Sequence, residues 1–243
     1  MAEFSILQKG SIYFFYRAKV QHSYAHSIDD VQGFLVVIKP IEINKYIIIR
    51  IGKKRLPEEA TYFCFIEKVC SSISDLKNTF SEEHQETSSN GKRDTGAAQC
   101  VGEGKYPLVE HDQHTHLYFQ LENIKKENKL LKEFNLAEKG DYLISVKNPE
   151  KSSPLGAGLP TQEKAQYPAD LQNNFGDYRF IPLNSPEFLN YEGAEFLIIG
   201  SNKSDIGEII DIKKCFQNMS ADELDQHFKT IENPDKNIFK VIS

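Results

Sequence analysis

Apolar and polar residues alternate along much of the first third of the chain, as they do in β-strands. The alternation is clearest over residues 11–20, where every second side chain from Ile12 onward is apolar. Further apolar runs occupy residues 34–38, 46–51 and 61–68, with turn residues between them. The connections are too short for parallel crossovers, so we expect these strands to form an antiparallel meander.

The second half of the chain mixes strand patterns with short helical ones. Residues 124–136 have apolar side chains at near-helical spacing, residues 168–175 fit a short helix, and Ser220 with Glu223 forms a capping-box pattern. Strand patterns recur at residues 105–110, 115–122, 141–147, 178–183 and 194–199. No regular βαβ alternation connects them. The sequence therefore predicts an α+β fold, mainly an antiparallel sheet or half-barrel with a few peripheral helices.

Two segments differ in composition from the rest of the chain. Residues 81–100 contain no Val, Ile, Leu, Phe or Tyr, so they have little apolar area to offset the entropy cost of ordering. After residue 200 the pattern changes again and ends in the capping-box helix. We predict a single α+β domain over residues 1–200 with a flexible insertion at 81–104, and a C-terminal appendage at 201–243 with a short helix.

The charge balance argues against binding to large anionic surfaces. The chain has 243 residues, with 29 Lys and Arg against 35 Asp and Glu, and a formal net charge of −6. Attraction to phosphate backbones or anionic lipids would need a local basic patch. Basic residues cluster only at 53–55, where a solvated turn is expected. We predict neither a nucleic-acid partner nor a membrane partner.

The compartment is predicted from the N-terminus and the cysteines. The N-terminus has Glu3 and only a short apolar run, unlike a signal peptide, and no apolar run approaches the length of a membrane-spanning helix. Four cysteines, Cys64, Cys70, Cys100 and Cys215, have neither redox-motif nor zinc-knuckle spacing. These features predict a cytoplasmic protein with reduced thiols. Secretion without a signal peptide would leave no trace in these patterns.

The strand pattern at residues 114–122 carries the most distinctive chemistry. Thr115, Leu117, Phe119 and Leu121 form one face. The opposite face is polar throughout and consists of His114, His116, Tyr118, Gln120 and Glu122. His114 and His116 would stand about 6.6 Å apart, from which two imidazoles can converge on one divalent ion. This face is either a hydrated sheet surface, a metal-free ligand pocket or a metal site.

The His-x-His pattern on a strand resembles the metal motif of the cupin barrels over about a dozen residues. The resemblance implies a metal-dependent enzyme with His114 and His116 as ligands to a divalent ion. Cupins place a Glu four or five positions after the second His, where this chain has Gln120 and Leu121, so Glu122 is the candidate third ligand. The second cupin motif has no counterpart in the chain.

Residues outside this strand complete the set of candidates. His111 precedes the strand, and Lys147 and Asn148 begin a long loop whose Gly- and Pro-rich part, residues 152–160, we interpret as a lid. Cys100 precedes the histidines and could serve as a nucleophile only if it were held beside an imidazole. Its position at the edge of the predicted insertion makes an incidental thiol the simpler interpretation.

Three functions remain open from the sequence. The first is a non-catalytic binding or interaction module for a small molecule or protein, with His111, His114, His116, Tyr118, Gln120, Lys147 and Asn148 as candidate ligand-binding residues. The second is the cupin-like metal enzyme, and the third is a secreted effector that acts through Cys100. The sequence does not decide whether any reaction is catalysed, and it predicts no cofactor other than the divalent metal of the second hypothesis.

Overall fold

A computed structural model describes residues 4–20, 25–81, 83–87, 91–122, 129–154, 157–200 and 215–216, with the backbone alone considered at 83–87 and 91–95. The strands are β1 Phe4–Ala18, β2 Val31–Pro40, β3 Tyr46–Ile51, β4 Thr61–Cys70, β5 Glu83–Thr87, β6 Gly91–Thr95, β7 Gln99–His111, β8 His114–Glu122, β9 Lys139–Lys147, β10 Phe180–Pro182 and β11 Glu195–Gly200. The α-helices are α1 Ile73–Phe80, α2 Lys129–Glu133 and α3 Ala169–Asn173. Short 3-10 helices occupy Ile28–Asp30, Thr161–Glu163 and Pro186–Asn190.

Eight strands form a closed antiparallel barrel. Their order is β1-β2-β3-β4-β11-β9-β8-β7, and β7 pairs back to β1. The first four strands are the meander predicted from the sequence. Two pairings between strands distant in the chain close the barrel, β4 with β11 and β1 with β7. Strand β10 adds to the end of β9, and β5 pairs with β6 in a separate hairpin.

The barrel interior is filled with apolar side chains. Phe14 packs against Phe119 with ring centroids 5.0 Å apart, and Phe134 stacks on Phe34 at 4.8 Å near one end of the barrel. One gap among these side chains is lined only by apolar residues and has room for about one water molecule. This gap is too small for a ligand larger than water.

A second apolar cluster lies outside the barrel, under α1. Phe15 of β1 contacts Phe80 with ring centroids 4.7 Å apart, and Leu76 is buried in the same cluster. The guanidinium of Arg17 donates to the carbonyl oxygens of Thr79, Ser81 and Gly96. The buried Arg17 therefore holds the end of α1 and the chain that returns toward β7 against the end of β1.

The predicted fold class is wrong. The chain is mainly β, a closed eight-stranded barrel with a few short helices, and not an α+β half-barrel. Where the sequence predicts a helix at residues 124–136, the described residues contain only α2, and the capping-box helix lies outside them. Closure depends on the pairing of β1 with β7 and of β4 with β11. This pairing cannot be predicted from local periodicity, because strands of an open sheet and of a closed barrel show the same alternation of apolar and polar residues.

The predicted domain boundaries can be compared with the strands. Residues 99–104, assigned to the end of the insertion, belong to β7 of the barrel, where a Cβ on Gly104 would lie 2.2 Å from the carbonyl oxygen of Gln120. Of the predicted appendage, only Cys215 and Phe216 are described. Cys215 is buried against Val109 of β7, and its carbonyl accepts a hydrogen bond from Lys9. No helix among the described residues is long and apolar enough to cross a membrane.

Candidate functional site

The candidate histidines lie at a tight turn between β7 and β8. Asp112 and Gln113 are the two turn residues, with φ of 49° and 62°, and two successive positive φ angles are typical of a type I′ hairpin turn. This turn pairs His111 directly with His114 across the hairpin. Paired residues share a face of the sheet, so His111, His114 and His116 all lie on the outer face of the barrel.

The imidazole of His116 contacts a neighbouring carboxylate and is buried from solvent. Its Nδ1 lies 3.0 Å from Oδ1 of Asp141 on β9, and the two side chains are 7% and 11% exposed. The ring of His111 meets that of His116 edge-on with centroids 6.3 Å apart. Nε2 of His111 is buried and has no hydrogen-bond partner in the described part of the chain. The arrangement is an oriented Asp–His pair with a second imidazole beside it.

The remaining residues of the predicted polar face differ widely in exposure. Tyr118 is buried, and burial together with the nearby carboxylate of Asp141 raises its pKa. Gln120 is half-buried, while Glu122 is exposed and forms an ion pair with Lys105 at 3.2 Å. The face is therefore not a uniform wet surface, and only its end near the turn and its end near Glu122 are accessible.

The geometry does not assemble the predicted metal site. Among the described residues, no group of three or more His, Cys, Asp or Glu side chains is placed to hold one ion. His114 is exposed whereas His116 is buried against Asp141, and Glu122 is engaged by Lys105 at the far end of β8. The residues present therefore do not fit the divalent ion that the cupin resemblance implies.

Lys147 and Asn148 lie at the C-terminal end of β9 and form a separate polar cluster. The Lys147 ammonium donates to the carbonyl oxygens of Asn148 and Lys151 and to Oε2 of Glu195, the last at 3.1 Å. The side chains of Lys147 and Glu195 are 0% and 3% exposed, and this burial lowers the pKa of Lys147 against the opposing effect of Glu195. All three N–H bonds of the ammonium thus have acceptors.

The same cluster holds the long loop that the sequence analysis interprets as a lid. Glu195 Oε1 accepts a hydrogen bond from the backbone N–H of Leu159 at 2.8 Å. Gly158 has a φ of +93°, and a Cβ there would lie 2.6 Å from that carboxylate oxygen. The Asn148 side chain accepts from Glu150 N and donates to the carbonyl of Tyr178. These contacts tie the loop to the barrel wall.

Cys100 is remote from the histidines. It pairs with Phe15 near the start of β7, whereas His111 pairs with Phe4 at the end of that strand, eleven residues further along. Burial raises the pKa of Cys100 to about 12, so the thiolate is scarce at neutral pH. The structure therefore places this thiol away from His111, His114 and His116.

Three residues near the turn escaped the sequence analysis. Phe4 and Ile6 of β1 pair with His111 and Val109, and they are 38% and 41% exposed. Asp141 comes from β9, so only the β8–β9 pairing reveals it as the partner of His116. We use the name hairpin surface for Phe4, Ile6, His111 and His114, the outer face of β1, β7 and β8 beside the turn. The alternation of Phe4 and Ile6 in the N-terminal sequence was the available signal.

Comparison with known proteins does not extend this description. No protein-family model matches the chain, and no curated protein and no solved structure is significantly similar to it. The site is therefore interpreted from its own geometry.

Proposed function

We propose that this protein is a non-catalytic interaction module that binds a protein partner through the hairpin surface. The observation that carries the proposal is that exposed Phe4 and Ile6 lie on the same outer face as His111 and His114, with Phe4 paired to His111 and His111 paired to His114. Large apolar side chains exposed together beside polar groups are typical of protein-binding surfaces. A small-molecule partner is less favoured because binding pockets are usually concave and enclosed.

Behind the hairpin surface, buried groups keep it rigid. The Asp141–His116 pair fixes the position of the His111 ring, and the type I′ turn fixes the orientation of His111 relative to His114. A surface whose side chains are already ordered loses less conformational entropy on binding. The imidazoles also supply hydrogen-bonding groups at the rim of the apolar pair.

The four cysteines support a cytoplasmic location as part of this proposal. None of the four is in a disulfide, and disulfides are rare in reducing compartments. A secreted effector acting through Cys100 is not favoured, because burial raises the pKa of that thiol and the candidate histidines lie at the opposite end of β7. The metal-dependent alternative has no third ligand among the described residues.

The proposal can be tested by affinity capture from a lysate of the source cells, with quantitative mass spectrometry. We expect the Ile6→Ser/His114→Ala double variant to lose about ten-fold or more of any specifically captured protein, since central interface residues often contribute at least 1.4 kcal/mol. Tyr178→Ser is the matched control, because Tyr178 is 72% exposed and lies outside the hairpin surface. Equal capture by all three proteins would contradict the proposal.

Elemental analysis separates the interaction module from the metal enzyme. We expect less than stoichiometric divalent metal in the purified wild-type chain and no change in His114→Ala or His116→Ala. Stoichiometric metal that disappears in both variants would instead favour the metal-dependent function.

A further inference from the structure

Strand β1 extends past its neighbour on one side of the barrel. On the β7 side it is paired from Phe4 onward, but on the β2 side pairing begins only at Gly10, opposite Pro40. The last contact on that side is the N–H of Ile41, which donates to the carbonyl of Lys9 at 3.0 Å. Residues 4–8 therefore form an overhang with one paired edge.

The other edge of the overhang has no strand beside it in the described residues. Backbone N–H and C=O groups along such an edge are a template for another strand, and most closed barrels leave no such template. A partner that pairs with this edge must have an extended backbone, because only a strand offers N–H and C=O groups at the same spacing as those of the edge. A compact ligand or a helix cannot form this ladder of backbone hydrogen bonds.

The overhang also lacks most of the features that usually protect edges. Residues 4–8 are Phe, Ser, Ile, Leu and Gln, with no charge and no proline. Two of them, Phe4 and Ile6, expose apolar side chains. Two charges lie beside the overhang: the carboxylate of Glu110, which accepts a hydrogen bond from Ser5 Oγ at 3.4 Å, and the ammonium of Lys9, which is engaged by the carbonyl of Cys215 at 3.1 Å. The register shift between Ile6 and Gln8 is the one protective irregularity, and it shortens the straight part of the edge.

We propose that the overhang pairs with the same segment of a second copy of this chain, antiparallel and across a twofold axis. A neutral segment suits itself as a partner, because self-pairing places no like charges opposite one another. The twofold axis satisfies both edges at once and closes the assembly at two copies. The short straight edge makes the dimer weak, with a dissociation constant on the order of micromolar. This inference does not depend on the partner of the hairpin surface.

Sedimentation velocity of the full chain over a concentration series tests the dimer. We expect a monomer–dimer equilibrium in the wild type, and a dissociation constant raised about ten-fold or more in Ile6→Lys and in Ile6→Glu, since each places like charges near the axis. An equimolar mixture of the two variants should restore dimers, because the charges are then opposite. Tyr178→Lys, a charge added at an exposed aromatic elsewhere, should leave the equilibrium unchanged.

Hydrogen exchange provides a test without substitutions. Amides of residues 4–8 in the wild type should exchange more slowly at high than at low protein concentration, and those of β3 should not change. A wild type that stays monomeric through about 100 μM, well above a micromolar constant, would overturn the inference. A dimer that is insensitive to both Ile6 substitutions would overturn it as well. Either result leaves the capture experiment on the hairpin surface unaffected.

Discussion

The C-terminal end of β9 and the turn end of the β7–β8 hairpin handle buried polar groups in opposite ways. At the C-terminal end of β9 the Lys147 ammonium has three acceptors, and Glu195 receives both this charge and a backbone N–H. At the turn end of the hairpin, where His116 pairs with Leu143 of β9, His111 Nε2 and the hydroxyl of Thr115 are buried without a hydrogen-bond partner in the described residues. Saturated polar clusters hold a fold together, whereas unsatisfied ones leave binding capacity for another molecule.

The largest expected effect comes from breaking the saturated end. Glu195→Gln leaves the Lys147 ammonium buried without its anion, so we expect the free energy of unfolding to fall by about 3–5 kcal/mol. Urea unfolding at neutral pH measures this change in the free energy of unfolding. Glu67→Gln is the control, since the Arg50–Glu67 pair is 31% and 27% exposed and its loss should cost at most about 1 kcal/mol. Similar losses in the two variants would remove the distinction between the two ends.

An intermediate effect is expected at the Asp141–His116 pair, which is nearly buried but has only one hydrogen bond between its members. Asp141→Asn removes the carboxylate charge while keeping the shape, and we expect a loss of about 1–2 kcal/mol in the same assay. A loss as large as that of Glu195→Gln would mean that the turn end is as saturated as the Lys147 cluster.

The smallest effect distinguishes the two ends most directly. Thr115→Val removes a buried hydroxyl that has no partner among the described residues, so stability should stay within about 1 kcal/mol of the wild type or rise. Thr79→Val is the matched control, because the Thr79 hydroxyl donates to the carbonyl of Asp75 at 2.8 Å and its loss should cost about 1 kcal/mol. A clear destabilisation by Thr115→Val would indicate that this hydroxyl has a partner and that the turn end is satisfied.

Local patterns were sufficient for most of the barrel strands. Alternation located β1 and β8, because one face of each strand packs inside the barrel, and apolar runs located β2 to β4. The same argument placed Leu117, Phe119 and Leu121 on the inner face of β8. It did not detect residues 99–104 as strand, because Gly102 and Gly104 replace the apolar side chains that would reveal the pattern. There the neighbouring strand, Leu121 and Gln120 included, fills the space.

The candidate site was only partly visible in the sequence. His111, His114 and His116 share a face, as expected for a strand and a short turn, but the alternation could not show that His116 is buried against Asp141. The association of Lys147 and Asn148 with the histidines remains a prediction from sequence order, and the structure places these residues in the Glu195 cluster. Contacts between strands decided these cases, and they depend on residues far apart in the chain.

The sequence by itself determined where the chain forms strands and which side chains face inward, because side-chain alternation is a local property of an extended backbone. Only the tertiary structure decided that the sheet closes into a barrel, that β1 extends beyond β2, and which polar groups are paired. Closure and pairing bring together residues more than a hundred positions apart, such as Phe4 with His111 and Thr61 with Ile199. Their free energy comes from contacts that exist only once the barrel has formed.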